Sequence, residues 1–153
     1  MSYKSYISAA TASLMTAVLV AISATGAMAG GEKSYVGPII SPGFGATLFG
    51  VAAKFPVADN ISARPFFQFA SQGGASLSYY GASATYDFKI PNSEFKPYVG
   101  LGYAGVSVSA GGFGGAASGL IFDIGTDYAI SDSIVLNAAY RGGLFSVGAG
   151  YQF

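Results

Sequence analysis

Seven ionisable residues lie inside regularly alternating segments of this sequence: Lys54, Arg64, Asp87, Lys89, Asp123, Asp127 and Arg141. They are its best candidates for chemistry, and the chemistry that they suit is ionic pairing. The chain has no His and no Cys, so the usual catalytic triads and zinc sites lose their central members. Disulfide and thiolate chemistry are absent for the same reason. The run Gly111-Gly112-Phe113-Gly114-Gly115 lacks the Lys and the strand–loop–helix setting of a phosphate loop. No catalytic, cofactor-binding or metal-ligating residue is expected, and the chain does not read as an enzyme. Its formal net charge of zero offers no basic patch to nucleic acid.

The elements that position these charges are strands, because side chains on a strand point alternately to opposite faces. Bulky apolar residues take one face and Gly, Ala, Ser and every one of the seven charges take the other. In the last ten residues Phe145, Val147, Ala149, Tyr151 and Phe153 share a face, against Leu144, Ser146, Gly148, Gly150 and Gln152. The spacing predicts further strands over 33–40, 44–55, 61–71, 76–90, 95–109, 116–130 and 134–141, eight in all. Pro38 makes the first the weakest. Gly73-Gly74 and Gly142-Gly143 read as tight hairpin turns, Ala110 to Gly115 as a modest loop, and Gly105 as a bulge that explains why Val106 and Val108 fall on the small-residue face. If Ile130 and Ile134 flank a three-residue turn, Asp123 lies opposite Arg141 and Asp127 opposite Asn137, and opposite charges across two strands stabilise the pair.

Which face looks outward is decided by charge. Only 9% of residues are charged, against about 25% in a typical soluble domain. A soluble sandwich or barrel fits the alternation equally well but would be poorly solvated. Outward aromatics also gather beside the polar turns (Phe55, Phe88, Phe95, Tyr128, Tyr151 and Phe153), where a membrane-interface girdle would lie. The reading is therefore an eight-stranded antiparallel up-and-down transmembrane β-barrel with its charges in the lumen. Residues 1–29 read as a cleavable signal peptide: Lys4, an apolar stretch from Ile7 to Ile22, then Ala27-Met28-Ala29. The barrel domain then spans 30–153.

Four segments carry a family likeness: Asp59-Asn60-Ile61-Ser62-Ala63-Arg64-Pro65, Lys96-Pro97-Tyr98-Val99-Gly100-Leu101-Gly102-Tyr103, Gly125-Thr126-Asp127-Tyr128-Ala129-Ile130, and the terminal Gly148-Ala149-Gly150-Tyr151-Gln152-Phe153. The mature chain resembles the small eight-stranded outer-membrane β-barrels, namely the OmpA-like transmembrane domain, OmpX and the opacity-type porin family. That resemblance implies secretion through the inner membrane and a place in the cell outer membrane. It implies outer-membrane lipid as surroundings, and barrel-assembly machinery and periplasmic chaperones as partners in biogenesis. By the same likeness Tyr151 and Phe153 would form the assembly signal. No peptidoglycan-binding domain is expected after the barrel, so the resemblance does not imply the anchoring role of longer OmpA-like proteins. The expected function is a structural or surface-interaction barrel with a mostly plugged lumen; the alternative is a narrow passive pore for ions or small solutes. Lipid A-modifying barrels use a catalytic His that this chain lacks. Adhesion is weakened by the shortness of the expected outer turns.

Overall fold

Strands that are greasy on one side and small on the other can close into a ring, which leaves no free edge. A computed structural model, describing residues 32–43 and 45–153, has this form. The strands are β1 (Tyr35–Gly43), β2 (Ala46–Ala58), β3 (Ile61–Gln72), β4 (Ala75–Asp87), β5 (Phe95–Ala110), β6 (Phe113–Ala129), β7 (Ile134–Arg141) and β8 (Leu144–Gln152). Each pairs antiparallel with the next, and β8 pairs with β1 to close the barrel. The expected signal peptide, and Phe44 of the expected second strand, lie outside the described residues.

The first described residues, Phe153 and the three polar turns (Asp59-Asn60, Pro91 to Glu94 and Ser131 to Ser133) lie at one end of the barrel, here called the termini end. The opposite end carries the glycine turns. Gly73-Gly74, Gly111-Gly112 and Gly142-Gly143 all have positive φ at both positions, the conformation of the tight hairpin turn that suits strand twist.

Several boundaries differ from expectation. The first strand runs through Pro38 and Pro42 to Gly43. The β1–β8 register passes over Gly37 and Pro38, so the missing Pro38 N–H falls where the seam is already interrupted. The fourth strand stops at Asp87 rather than Ile90. Phe88 donates its N–H to the Pro97 carbonyl, 2.8 Å, but Pro97 has no N–H to return. No loop spans 110–115: Ala110 pairs with Phe113 across the glycine turn, and β6 begins three residues early. Gly105 is not a bulge, since β4–β5 and β5–β6 run in unbroken register past it. The slip occurs instead between Pro56 and Ala58. There Ala53 and Phe55, on the outward parity, are buried at 4% exposure each, so Phe55 is not part of an exposed girdle; a register slip bends and twists the strand locally.

Elsewhere the greasy face is the outer one. Leu101, Phe122, Ile124, Leu136 and Phe145 are all at least half-way to full exposure or close to it. Tyr86, Phe88, Phe95, Tyr128, Tyr151 and Phe153 are exposed at the termini end, and a second aromatic band circles the other end. Two cross-strand pairs build that second band, Phe49 with Phe69 and Tyr140 with Phe145. Among the described residues every charged side chain is either inside the barrel or at the termini end.

The wall is uneven. β5 and β6 have 16 and 17 residues, β7 and β8 only 8 and 9. Pairing of β6 with β7 runs from Asp123 to Ala129, so Phe113–Ile121 has a neighbour on the β5 side alone. Together with the adjoining ends of β3, β4 and β5 this stretch forms a projecting flap that, apart from the exposed Leu120 on its outer face, inverts the polarity of the wall below it. Its outer face carries Ser71, Ser76, Ser78, Ser107, Ser109 and Ser118, with the Tyr103 hydroxyl 2.8 Å from Ser118 Oγ. Its inner face carries Leu77, Val106, Val108 and Ile121. Of these, Leu77, Val106 and Ile121 pack on the barrel's internal apolar cluster. That continuity, rather than a bulge, accounts for the parity of Val106 and Val108.

Candidate functional site: the charged interior

Inside an eight-stranded barrel there is room for little beyond side chains. Near the termini end the interior is a lattice around Arg64. Its Nη2 lies 2.9 Å from Asp87 Oδ1 and 2.8 Å from Asp127 Oδ2. Its Nη1 donates to the Tyr35 hydroxyl (2.9 Å), which itself donates to Asp127 Oδ1 (3.0 Å). Nε donates to Thr85 Oγ1 at 2.9 Å, and the guanidinium lies 3.6 Å from the Tyr98 ring centroid. Lys54 Nζ reaches Asp87 Oδ2 at 2.9 Å and Asp127 Oδ2 at 3.6 Å. Ser62 donates to Asp87 at 2.5 Å and Asn137 to Asp127 at 2.8 Å. Two cations thus face two carboxylates, all four almost wholly buried.

Toward the glycine turns a second pair follows. Arg141 Nε lies 2.9 Å from Asp123 Oδ2, which also accepts from the Ser83 hydroxyl. The Arg141 guanidinium sits 4.5 Å from the Phe66 ring centroid, and Phe66 packs on Tyr79 with ring centroids 5.0 Å apart. Above this pair the bore is mostly apolar: Ile39, Leu48, Ala52, Phe66, Ala70, Tyr79, Ala104 and Leu144 form one buried cluster, with Gln68 donating to Ser41 Oγ as a buried polar pair among them. The interior is therefore filled by an ionic lattice and, above it, by a largely apolar layer. What this arrangement does chemically is hold itself together: each buried ion meets an opposite charge, which is the condition for tolerating it away from water.

No family model and no curated protein matches the chain. Its backbone, by contrast, superposes on known membrane barrels. The N-terminal β-barrel domain of Pseudomonas aeruginosa OprF matches with a TM-score of 0.62 and 17% identity, over 79% of this chain and 97% of that one. Outer membrane protein OprG of the same organism gives 0.60 and 16%, over 84% and 98%. A de novo designed transmembrane β-barrel gives 0.58 and 14%, over 79% and 95%. The chain has the fold of the small eight-stranded outer-membrane β-barrels.

Within this barrel, six of the seven residues singled out from the sequence lie in the lumen: Lys54, Arg64, Asp87, Asp123, Asp127 and Arg141. The cross-strand partners are Asp123 with Arg141 and Asp127 with Asn137. Lys89 is different. Its side chain is half-exposed at the termini-end mouth, 3.8 Å from Glu32, because β4 has already ended at Asp87. Tyr151 and Phe153 are exposed on the outer face, and the Phe153 backbone is tied to Ser34 by two hydrogen bonds of 2.9 and 3.1 Å. Sequence reasoning missed Tyr35, Tyr98 and Glu32. Tyr98 could have been found from parity alone, since it shares a face with Gly100 and Gly102. Tyr35 and Glu32 carry no such signal, as the first strand shows no clean alternation.

Proposed function

We propose that the protein is a structural and surface-interaction barrel of the outer membrane, with a closed lumen. The filling of the bore carries this reading: the Arg64 lattice, and above it a largely apolar layer with a bonded Gln68–Ser41 pair, occupy the interior with buried side chains. The outer wall supports the membrane setting: a charge-free apolar belt between two aromatic bands matches what a bilayer requires of a barrel. By the family resemblance the termini end would face the periplasm, and the flap would project outward. The flap supports the interaction role. Its unpaired β6 stretch lacks the Lys and Pro that usually blunt an edge, so an extended segment of another molecule could add to it. The expected short turns weaken adhesion by loops, but not adhesion by an edge. Lipid surroundings, barrel-assembly machinery, periplasmic chaperones and a Tyr151–Phe153 assembly signal belong to the same proposal.

Planar-bilayer recording tests the closed lumen. The refolded protein is expected to show no discrete conductance steps, and reproducible steps would favour the narrow pore. The membrane setting has its own test. Leu101, 57% exposed on the outer wall, replaced by Lys is expected to cost about 2–4 kcal/mol of stability in lipid vesicles. A neutral result in vesicles would count against lipid contact at that face.

A further inference from the structure

The chain keeps a carboxylate of its own in a lysine-lined mouth, and the fit is poor. Glu32, just before β1, folds across the termini end, where its side chain is 11% exposed. Its Oε2 lies 3.3 Å from Lys54 Nζ. Its Oε1 faces Lys89 at 3.8 Å and Lys96 at 3.9 Å, both beyond hydrogen-bond length. That oxygen is buried and has no hydrogen-bond partner, a costly condition for a charged acceptor. Beside it opens a cavity of about 450 Å³, lined in part by Glu32, Tyr35, Lys54, Lys96 and Asp127. The chain beside Glu32 is anchored: Ser34 is bonded to Phe153, and Lys33 reaches the Asp132 carbonyl at 2.6 Å. The same cavity is also lined by Glu94 and Asp132, the latter paired with Lys33 at 3.4 Å, so the pull on a carboxylate is local, from Lys54, Lys89 and Lys96.

We infer that this mouth is a binding site for an external carboxylate, with Glu32 as its tethered resident. An untethered carboxylate can settle by a few tenths of an ångström and bond all three ammonium groups. Rotation of the Glu32 side chain clears the site without disturbing β1. A resident group lowers apparent affinity by the fraction of molecules in which it stands aside, so removing it exposes the intrinsic affinity.

The test uses residues 30–153 refolded in detergent micelles, with folding verified by heat-modifiable gel mobility. Sodium propionate, the analogue of a Glu side chain, is titrated while melting temperature and lysine ammonium NMR shifts are followed, against sodium chloride at equal ionic strength. Glu32→Ala is expected to half-saturate at a propionate concentration at least about tenfold below that of the wild type, and Glu32→Gln, which keeps the side-chain volume, to fall between. Adding Lys89→Met and Lys96→Met to Glu32→Ala should abolish the response. Equal responses in wild type and both Glu32 variants, an equal response to chloride, or persistence without the two lysines would each overturn the site. Tighter binding of inorganic phosphate than of propionate would overturn the carboxylate assignment.

Discussion

Replacing Arg64 by Met is expected to destabilise the barrel by about 3–5 kcal/mol, the usual cost of removing one partner from a buried ionic group. Met keeps much of the side chain's volume, so the loss reads out charge and hydrogen bonding rather than a cavity. Five bonds go at once, two to Asp127 and one each to Asp87, Tyr35 and Thr85. Two carboxylates then share the single ammonium of Lys54, which lies 2.9 Å from one and 3.6 Å from the other. Urea unfolding in lipid vesicles, compared with wild type, measures the effect. A change below about 1 kcal/mol, the scale of an exposed pair, would mean that water reaches the lattice. The variant should still be silent in planar bilayers, because the apolar layer around Leu48 and Phe66 remains. Conductance appearing in Arg64→Met would make the ionic lattice the true barrier.

Gly37→Val is expected to prevent closure of the barrel. A Cβ at Gly37 would lie 1.9 Å from the Ala149 carbonyl oxygen and 2.6 Å from the Gly150 Cα. Both are backbone atoms of β8, so no change of rotamer relieves the clash. The seam has little to spare: the β1–β8 register rests on Tyr35, Val36, Ile39 and Ile40 on the β1 side. An effect above about 4 kcal/mol is expected, in the range kept for severe backbone strain. Loss of the fast-migrating unboiled band on gels is the readout. Gly115→Val is the matched control, since nothing lies within 4 Å of a Cβ there and its φ is unexceptional. Similar loss in both variants would trace the effect to glycine chemistry in general rather than to the seam.

The resident Glu32 and the Arg64 lattice are neighbours but separable. Asp87 and Asp127 neutralise Arg64 and Lys54 whether or not Glu32 is in place, so Glu32 variants should leave the lattice intact. That separation allows occupancy of the mouth to be studied in a barrel that still folds.

The alternation of bulky and small residues, taken alone, determined the strand count, the antiparallel order and the face that carries the charges. Period-two geometry is local and each strand repeats it, so errors in one segment were corrected by the others. Asp123 opposite Arg141 was also legible, because a short turn fixes the register of its hairpin. Only the tertiary structure decided which lumenal residues form one lattice. Arg64 meets Asp127 across 63 positions of sequence and Tyr35 meets it across 92, contacts that depend on barrel closure and stagger rather than on any single hairpin. The second aromatic band stayed hidden for a similar reason, since its pairs come into line only once the register is set. The flap inverted a local rule. Val106 and Val108 looked misplaced because the alternation was read as if one solvent surrounded the whole strand. A strand long enough to leave the apolar belt changes surroundings along its length, and the meaning of its two faces changes with them.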